Sequence, residues 1–492
     1  MLKTTVIILS LLLGGITYAQ NENDVLRYST TDIYGSARFE AMAGSFGALG
    51  ADFSAIQINP ASMGRFTSNQ ASFSFNNTIV QTTGLYNDVR TQTNNNSFKI
   101  SNAGAVITND ISAKNDGRLY NQITVGYTRL KNFDYNRRYE GQNFYSLLDV
   151  FAYVGYGIDP EFIGSDRPFT TSLAYHTNAA VFDPTTGEYY SRLTPGDMYH
   201  NREIKTSGGI GEFHIGYSEN YMNKLYYGAS LGIRRFNYEE DNNHTETLLD
   251  TTGTSLMSFD YMYNLRTSGT GYNLKLGLLY LPSDFFRIGF AFESPTIAGL
   301  EDTWSANMTA THDYGVETLP TNLVPEGRFE YRLKTPMKLR GSFAYILNYR
   351  GAINIDLEMV RYNAGRLRPE NGAFDSQAYD FELENEEVQK QFRTVLNTRI
   401  GIEYMILKDI YLRAGYAFLP QPYQKSIGNL NKPNQTFSGG LGWNKDNISL
   451  DLSYRQVQLN SEYYAFDPSQ IENRTEFSSV LHNIVLTFNL KF

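Results

Sequence analysis

At 492 residues the chain has room for roughly two to four ordinary domains, or for one large barrel with long loops. A formal charge of −9 without clustered Lys and Arg excludes a phosphate-binding surface, hence nucleic acid as a partner, and the absence of Cys excludes disulfides and any thiolate nucleophile or metal ligand. Aromatic residues make up 14% of the chain, charged residues only 19%, and mean hydropathy is −0.38; this disfavours a helical membrane protein and suits a barrel, whose alternating strands average lipid-facing against lumen-facing residues.

Residues 1–19 read as a secretory signal: Lys3, the apolar run Val6 to Leu13, then small residues to Thr17-Tyr18-Ala19, with cleavage after Ala19. The run is well short of the ~20 residues of a spanning helix, and no later stretch reaches that length. An exported chain of this kind enters a membrane only as a closed barrel, because lipid leaves no partner for an unpaired backbone group.

Residues 20–68 differ from the remainder of the chain. Small residues dominate from Ala37 to Ser62, period two is missing, and Pro60 fixes its own φ and holds Asn59 out of the helical region. Phe39, Met42, Phe46, Leu49, Phe53 and Ile56 recur at three- and four-residue spacing, which a solvated linker would not need. The stretch therefore reads as a compact plug packed inside something larger. Its pattern, small-Arg38-x-x-x-Ala-x-Ala-Gly44, then Gly50-Ala-Asp52-x-Ser-Ala and Asn59-Pro60-Ala61-Ser-Met, resembles the N-terminal hatch of the FadL/TodX-type outer-membrane transporters of long-chain fatty acids and other hydrophobic compounds. Thr335-Pro336-Met337-Lys338-Leu339 is similar to a strand opening in the same family. The resemblance implies an all-β transmembrane antiparallel barrel of about fourteen strands with a plugged lumen. It also implies the hatch role for Gly44, Gly50, Asp52, Asn59, Pro60 and Ala61, with Gly47 counted in the same gate.

From residue 69 to 492, alternating segments pair across short turns. Tyr272, Leu274, Leu276, Leu278 and Tyr280 lead through Pro282-Ser283-Asp284 into Phe286, Ile288, Phe290 and Phe292; Ile400, Ile402, Tyr404 and Ile406 turn at Lys408-Asp409 into Leu412, Ala414, Tyr416 and Phe418. The last strand sets Ile484, Leu486, Phe488, Leu490 and Phe492 against Asn483, Val485, Thr487, Asn489 and Lys491. With weaker strands near Ala71 to Ile79, Ser97 to Thr108 and Ile123 to Arg129 the count reaches about fourteen, an even number. Long polar connections, among them Lys131 to Gly209, Tyr238 to Gly269 and Ser294 to Leu333, alternate strictly with short turns, which places the long loops outside the cell and the turns in the periplasm. Leu147, Leu148, Phe151, Ala152 and Val154 predict a short amphipathic helix in the longest loop.

The inward positions carry isolated charges. Register sets Arg340 opposite Glu358 and Glu403 opposite Arg413, whereas Lys338 faces Val360 and Lys275 is expected opposite Ala291. These charges read as a ladder filling a wet lumen or, for some, as partners for a ligand carboxylate. Lys275, Lys338, Arg340 and Arg413 are the candidate ligand-binding cations, the two lysines foremost. The six histidines lie singly, without metal-ligand spacing, and no catalytic motif or cofactor signature is present, so neither an enzyme nor a metal or cofactor is expected. The expected function is passive uptake of hydrophobic small molecules across the cell outer membrane by a monomer surrounded by outer-membrane lipid, with long-chain fatty acids as the cargo the resemblance implies. The alternatives are a surface adhesin or structural barrel, or a receptor for haem or another hydrophobic ligand.

Overall fold

The computed structural model describes residues 22–492 apart from 115, 194–196, 371–378, 425–431 and 466–473, so the expected signal lies outside the described residues. Ahead of the wall come α1 (Glu22–Ser29), α2 (Ala37–Ala41) and two 3-10 turns, Phe53–Gln57 and Pro60–Arg65. The wall begins with β1 (Gln70–Tyr86) and β2 (Val89–Asp110), which meet at Asn87-Asp88; both residues have positive φ, 44° and 64°, which Asn and Asp tolerate in a two-residue hairpin. β3 (Arg118–Asn132) is continued by β4 (Tyr135–Asn143), and β5 (Met198–Tyr221), β6 (Leu225–Leu248) and β7 (Leu256–Tyr280) come next. Pro295 then separates β8 (Phe286–Glu293) from β9 (Ile297–His312), and Pro336 separates β10 (Glu326–Lys334) from β11 (Lys338–Leu347), because proline cannot donate to a ladder. The two breaks lie side by side and are stitched by Thr296 N to Thr335 Oγ1 at 2.9 Å and Thr335 N to Thr296 O at 3.0 Å. β12 (Gly351–Arg361), β13 (Thr394–Leu407), β14 (Ile410–Leu419), β15 (Asn434–Lys445), β16 (Ile448–Tyr464) and β17 (Arg474–Lys491) complete it.

Counting each interrupted strand once gives fourteen antiparallel crossings. β17 pairs with β1 from Gln70↔Lys491 to Leu85↔Glu476, so the last strand closes the sheet on the first. Leu486, Phe488 and Leu490 are exposed on the outer face, while the alternate residues Val485 and Thr487 are buried on the inner one. The same alternation puts Leu274, Leu276 and Leu278 outside and Asn273, Lys275 and Leu279 inside.

Two expectations about the connections are corrected. The stretch Tyr238 to Gly269 is mostly strand, with β6 and β7 paired from Leu225↔Tyr280 to Thr247↔Ser258, and β9 likewise pairs with β10 inside Ser294 to Leu333. An apolar outer face marks a strand only where lipid wets it; beyond the hydrocarbon the same strand carries Tyr, Asn and charge and reads as loop. Nor is the alternation of turns and loops strict, since β1 and β2 join at the long-loop end through two residues. The helix expected in the longest connection is present as α3 (Leu147–Val154), capped by Ser146; its Leu147, Leu148 and Phe151 pack on Leu173, Leu193, Met198 and Phe259, closing on their own loop and the strand tops.

One seam is incomplete. β2 pairs with β3 only from Asn102↔Thr128 to Asp110↔Tyr120, while Phe98 and Ile100, further up β2, still face outward at 66% and 44% exposure. Above that point β2 reaches β4 through side chains, as in Thr91 Oγ1 to Arg138 O at 2.5 Å.

The face assignment of β17 is open to test. An arginine near the bilayer midplane costs ~2 to 4 kcal/mol on the lipid side. Thr487 is unsuitable as the inward control, because Ala37 N donates to its Oγ1 at 2.6 Å and an arginine there would strike the N-terminal segment. Asn489, half-buried and 3.5 Å from Asp451 Oδ2, can accept one. Leu486→Arg is therefore expected to lower the temperature of heat-modified migration well below that of Asn489→Arg; equal losses would contradict the assignment.

Candidate functional site

The N-terminal segment packs against the inward face of the wall, and its own sequence explains how. Ser36 caps α2 by accepting from Phe39 N at 3.1 Å, and its hydroxyl donates to both oxygens of Asp52, at 2.9 and 2.8 Å. Asp52 in turn caps the first 3-10 turn through Ser54 N at 2.9 Å, and Asn59 caps the second through Ala61 N at 3.1 Å, with Pro60 in the first-turn position that proline favours. The Asn59 amide donates to Gly47 O at 2.9 Å and, across to the wall, to Leu278 O at 3.0 Å. Gly44 and Gly50 both have φ +73°, and a Cβ on Gly50 would stand 2.5 Å from Arg65 Cγ, so both the conformation and the space require glycine. Phe39, Met42, Phe46, Leu49, Phe53 and Ile56 are each at most 4% exposed and form one core. All seven positions expected to form a gate thus lie in this segment.

Wall and segment are joined by charge and by close approach. Arg455 Nε donates to Glu40 Oε2 at 2.9 Å, and Arg38 binds Glu403 through two bonds of 2.8 and 2.7 Å. Burial pushes the Glu40 carboxyl up, and Arg455 beside it pulls the other way. Asp356 accepts Phe46 N at 2.7 Å and Gly47 N at 3.2 Å, and a Cβ on Gly47 would collide with Ser342. The wall answers with inward glycines of its own: Gly104 and Gly126 under Phe53, Gly228 under Pro60, Gly277 under Asn59, Gly401 and Gly415 under Met42. This signal is visible in the sequence, as glycines at inward steps of otherwise bulky strands, and sequence reasoning missed it.

On the long-loop side of the segment lies a polar cavity of about 30 Å³, room for water but not for an acyl chain. Five cations line it, Arg234, Lys275, Lys338, Arg340 and Arg399, against the carboxylates Asp32, Glu293 and Glu358. Glu212 stands behind them, so the cations still outnumber the acids. Arg234 Nε donates to Glu212 Oε2 at 2.8 Å and its Nη2 to Glu293 Oε1 at 2.5 Å; Arg340 bridges Glu293 at 2.8 Å and Glu358 at 2.6 Å; Arg399 Nη2 reaches Glu358 Oε1 at 3.0 Å. Lys338 Nζ donates to Thr31 Oγ1 at 2.9 Å and makes no ion pair among the described residues.

Of the four cations singled out from sequence, Lys275, Lys338 and Arg340 meet at this cavity. Arg340 opposite Glu358 and Lys338 opposite Val360 hold as expected. Lys275 does not: β8 pairs two residues out of the expected register, with Glu293↔Lys275 and Ala291↔Gly277, and the ammonium binds Glu212 of β5. The hairpin turn is longer than the pattern implies, and the ammonium's partner lies outside the hairpin altogether, two crossings away. Arg413 is also corrected, since it sits on the short-turn side of the segment between Glu403 and Asp451, at 2.5 and 2.6 Å, apart from the other three. Arg399 was not singled out. Register places it opposite Asp356, which the Phe46 and Gly47 amides have taken, and its Nε and Nη1 are left without a hydrogen-bond partner among the described residues although it is only 5% exposed. Unmet buried donors of this kind cost ~1 to 3 kcal/mol and favour an incoming anion.

The histidines are not all solitary in space. His200 and His244 come together with Glu246 near the outer ends of β5 and β6, a grouping that cross-strand pairing creates and spacing along the chain cannot reveal.

The family model described as "Outer membrane protein transport protein (OMPP1/FadL/TodX)" matches residues 221–492, more than half the chain. None of the curated proteins matches. Among similar solved structures are the Pseudomonas putida toluene transporter TodX (14% identity, 94% of this chain and 99% of that one, TM-score 0.53) and a Pseudomonas aeruginosa FadL homologue (12% identity, 94% and 99%, TM-score 0.56). The Ralstonia pickettii toluene transporter TbuX is a third (15% identity, 94% and 99%, TM-score 0.51). At these identities the likeness is one of fold, and it extends over nearly the whole of each chain. From the family match together with a closed barrel of fourteen crossings, we conclude that the chain belongs to the OMPP1/FadL/TodX family of outer-membrane transport proteins for hydrophobic compounds.

Proposed function

We propose that the barrel passes amphipathic molecules with an apolar body and one anionic head, long-chain fatty acids foremost, across the outer membrane without chemistry, and that residues 20–68 act as its hatch. The observation that carries this reading is the excess of buried cations at the cavity, where, among the described residues, Arg399 Nε and Nη1 lack acceptors and Lys338 bonds a threonine hydroxyl but no carboxylate. A carboxylate placed there would gain charge-assisted bonds in a partly dry lumen, where they are stronger than in water. The apolar body has a place as well. Above the cavity Val25 and Tyr28 of α1 pack on Phe133, Phe236, Leu300 and Leu333, an apolar surface that an acyl chain could take over if α1 moved aside. The cargo of toluene-transporter relatives, an uncharged hydrocarbon, gives a second reading. The charged lining argues against it here, since a neutral ring would leave those cations unanswered.

Two routes lead onward. The segment is tied to the wall by buried ion pairs and many hydrogen bonds, so emptying the lumen is costly, whereas the seam between β2 and β3 already lacks backbone bonds above Asn102. Exit of the tail through that seam, with the hatch blocking the lumen below, needs fewer contacts broken. One barrel encloses the whole path, and a monomer suffices.

Replacing both Lys338 and Arg399 with Met is expected to weaken oleate binding by about tenfold to a hundredfold, the worth of a single charge-assisted bond at ~1.5 to 3 kcal/mol, and to leave toluene binding nearly unchanged. Isothermal titration in detergent reads both; oleate affinity equal to wild type would remove these residues from the site. Deleting residues 38–63 should leave a folded barrel with raised conductance in planar bilayers, and a deletion variant no leakier than wild type would refute the hatch.

A further inference from the structure

We propose that the outer end of the β5–β6 hairpin carries a binding site for one divalent transition-metal ion, built from His200, His244 and Glu246. It lies far along both strands from the lumen cavity and does not depend on the cargo.

The site arises from strand geometry. His200 is the cross-strand partner of Glu246, and His244 precedes Glu246 by two residues, so all three side chains share the inward face. His244 Nε2 is 2.7 Å and His200 Nε2 3.6 Å from the same oxygen, Glu246 Oε1, and the three ligand atoms lie within 4.8 Å of one another. Each residue is fully buried, at 0% exposure. Two imidazoles and a carboxylate form the donor set of zinc and its neighbours in the first transition row. Bonds of ~2.0 to 2.2 Å to one ion place donors about 3.3 Å apart, between the two distances found, so occupation asks for small side-chain shifts.

A purely hydrogen-bonded cluster explains the arrangement less well. Glu246 Oε1 already accepts Leu147 N at 2.9 Å as well as His244, and the other nitrogen of His244, Nδ1, finds no hydrogen-bond partner among the described residues despite complete burial. The outer shell is of the kind that orients metal ligands: Ser146 Oγ donates to Glu246 Oε2 at 2.5 Å, and Tyr86 Oη stands 3.4 Å from His200 Nδ1, itself fixed by the Asn143 amide. Because Glu246 also holds Ser146 and Leu147 at the start of α3, an ion here would fasten that helix to the hairpin and stiffen the outer mouth of the barrel.

The test uses the full chain unfolded in denaturant and refolded into detergent with Zn²⁺ present, since a buried site fills as the strands come together. After dialysis against metal-free buffer, wild type is expected to retain one zinc ion per chain by mass spectrometry of the element. Co²⁺ in its place should give the intense visible bands of a four-coordinate site with nitrogen ligands. The H200Q/H244Q double variant should lose the bound zinc while keeping heat-modifiable migration. Wild type that retains no stoichiometric zinc, a cobalt spectrum of the weak octahedral type, or a double variant that binds as much as wild type would each overturn the proposal. If the double variant fails to fold, the wild-type stoichiometry and cobalt spectrum decide alone.

Discussion

Everything in this fold depends on one condition, that no backbone N–H or C=O may face hydrocarbon without a partner. It is met by pairing β17 with β1 over nearly their full lengths, which turns a sheet into a wall. Closure has a second consequence. At fourteen crossings the wall encloses more space than its own inward side chains can fill, unlike the smallest barrels. The interior must be wet, or packed with something else. Here it is packed with residues 22–66, and the contacts that seat them, a capped small-residue segment against inward glycines, set the floor of the cavity lined by Lys338 and Arg399.

The charges on the inner wall obey the same condition. A buried ion is tolerated only if it is paired, and the lattice from Glu212 through Arg234, Glu293 and Arg340 to Glu358 pairs one acid with two cations at nearly every step. Such a lattice holds the wall's inner face together whatever the protein carries. It becomes a candidate site where the pairing runs out: at Lys338, and at Arg399, whose register partner Asp356 is bound by the backbone of the N-terminal segment instead. The segment therefore shapes the site twice, by closing the lumen below it and by engaging Asp356, the acid across the strand from Arg399.

Much of this was legible in the residues. Period two gives the lipid-facing sets because the hydrocarbon imposes them, and the hairpin from Leu339 to Met359 keeps the register its pattern implies, down to Arg340 opposite Glu358. The N-terminal stretch stands out because glycine is needed wherever backbone meets backbone. What failed has physical reasons. Strand extensions beyond the membrane carry no outer apolar face, so β6 and β7 looked like loop past Tyr238 and Gly269. From its pattern alone Lys275 reads as unpaired; the true register sets Glu293 beside it, and Glu212, which binds it, lies two crossings away on β5, within reach of the long ammonium stem. His200 is distant in sequence from His244 and Glu246 and joins them only by register.

The central claim is that a carboxylate docks at the cavity above the N-terminal segment. The most direct measurement is a crystal structure of the protein soaked with a long-chain fatty acid brominated near its tail, located by anomalous scattering. The account predicts the carboxylate within hydrogen-bond reach of Arg399 Nη1 and Lys338 Nζ, and the bromine among Phe133, Phe236 and Leu300, with α1 displaced. Bromine found only on the outer loops or the lipid-facing wall, with the cations around the cavity still in their present pairings, would contradict it.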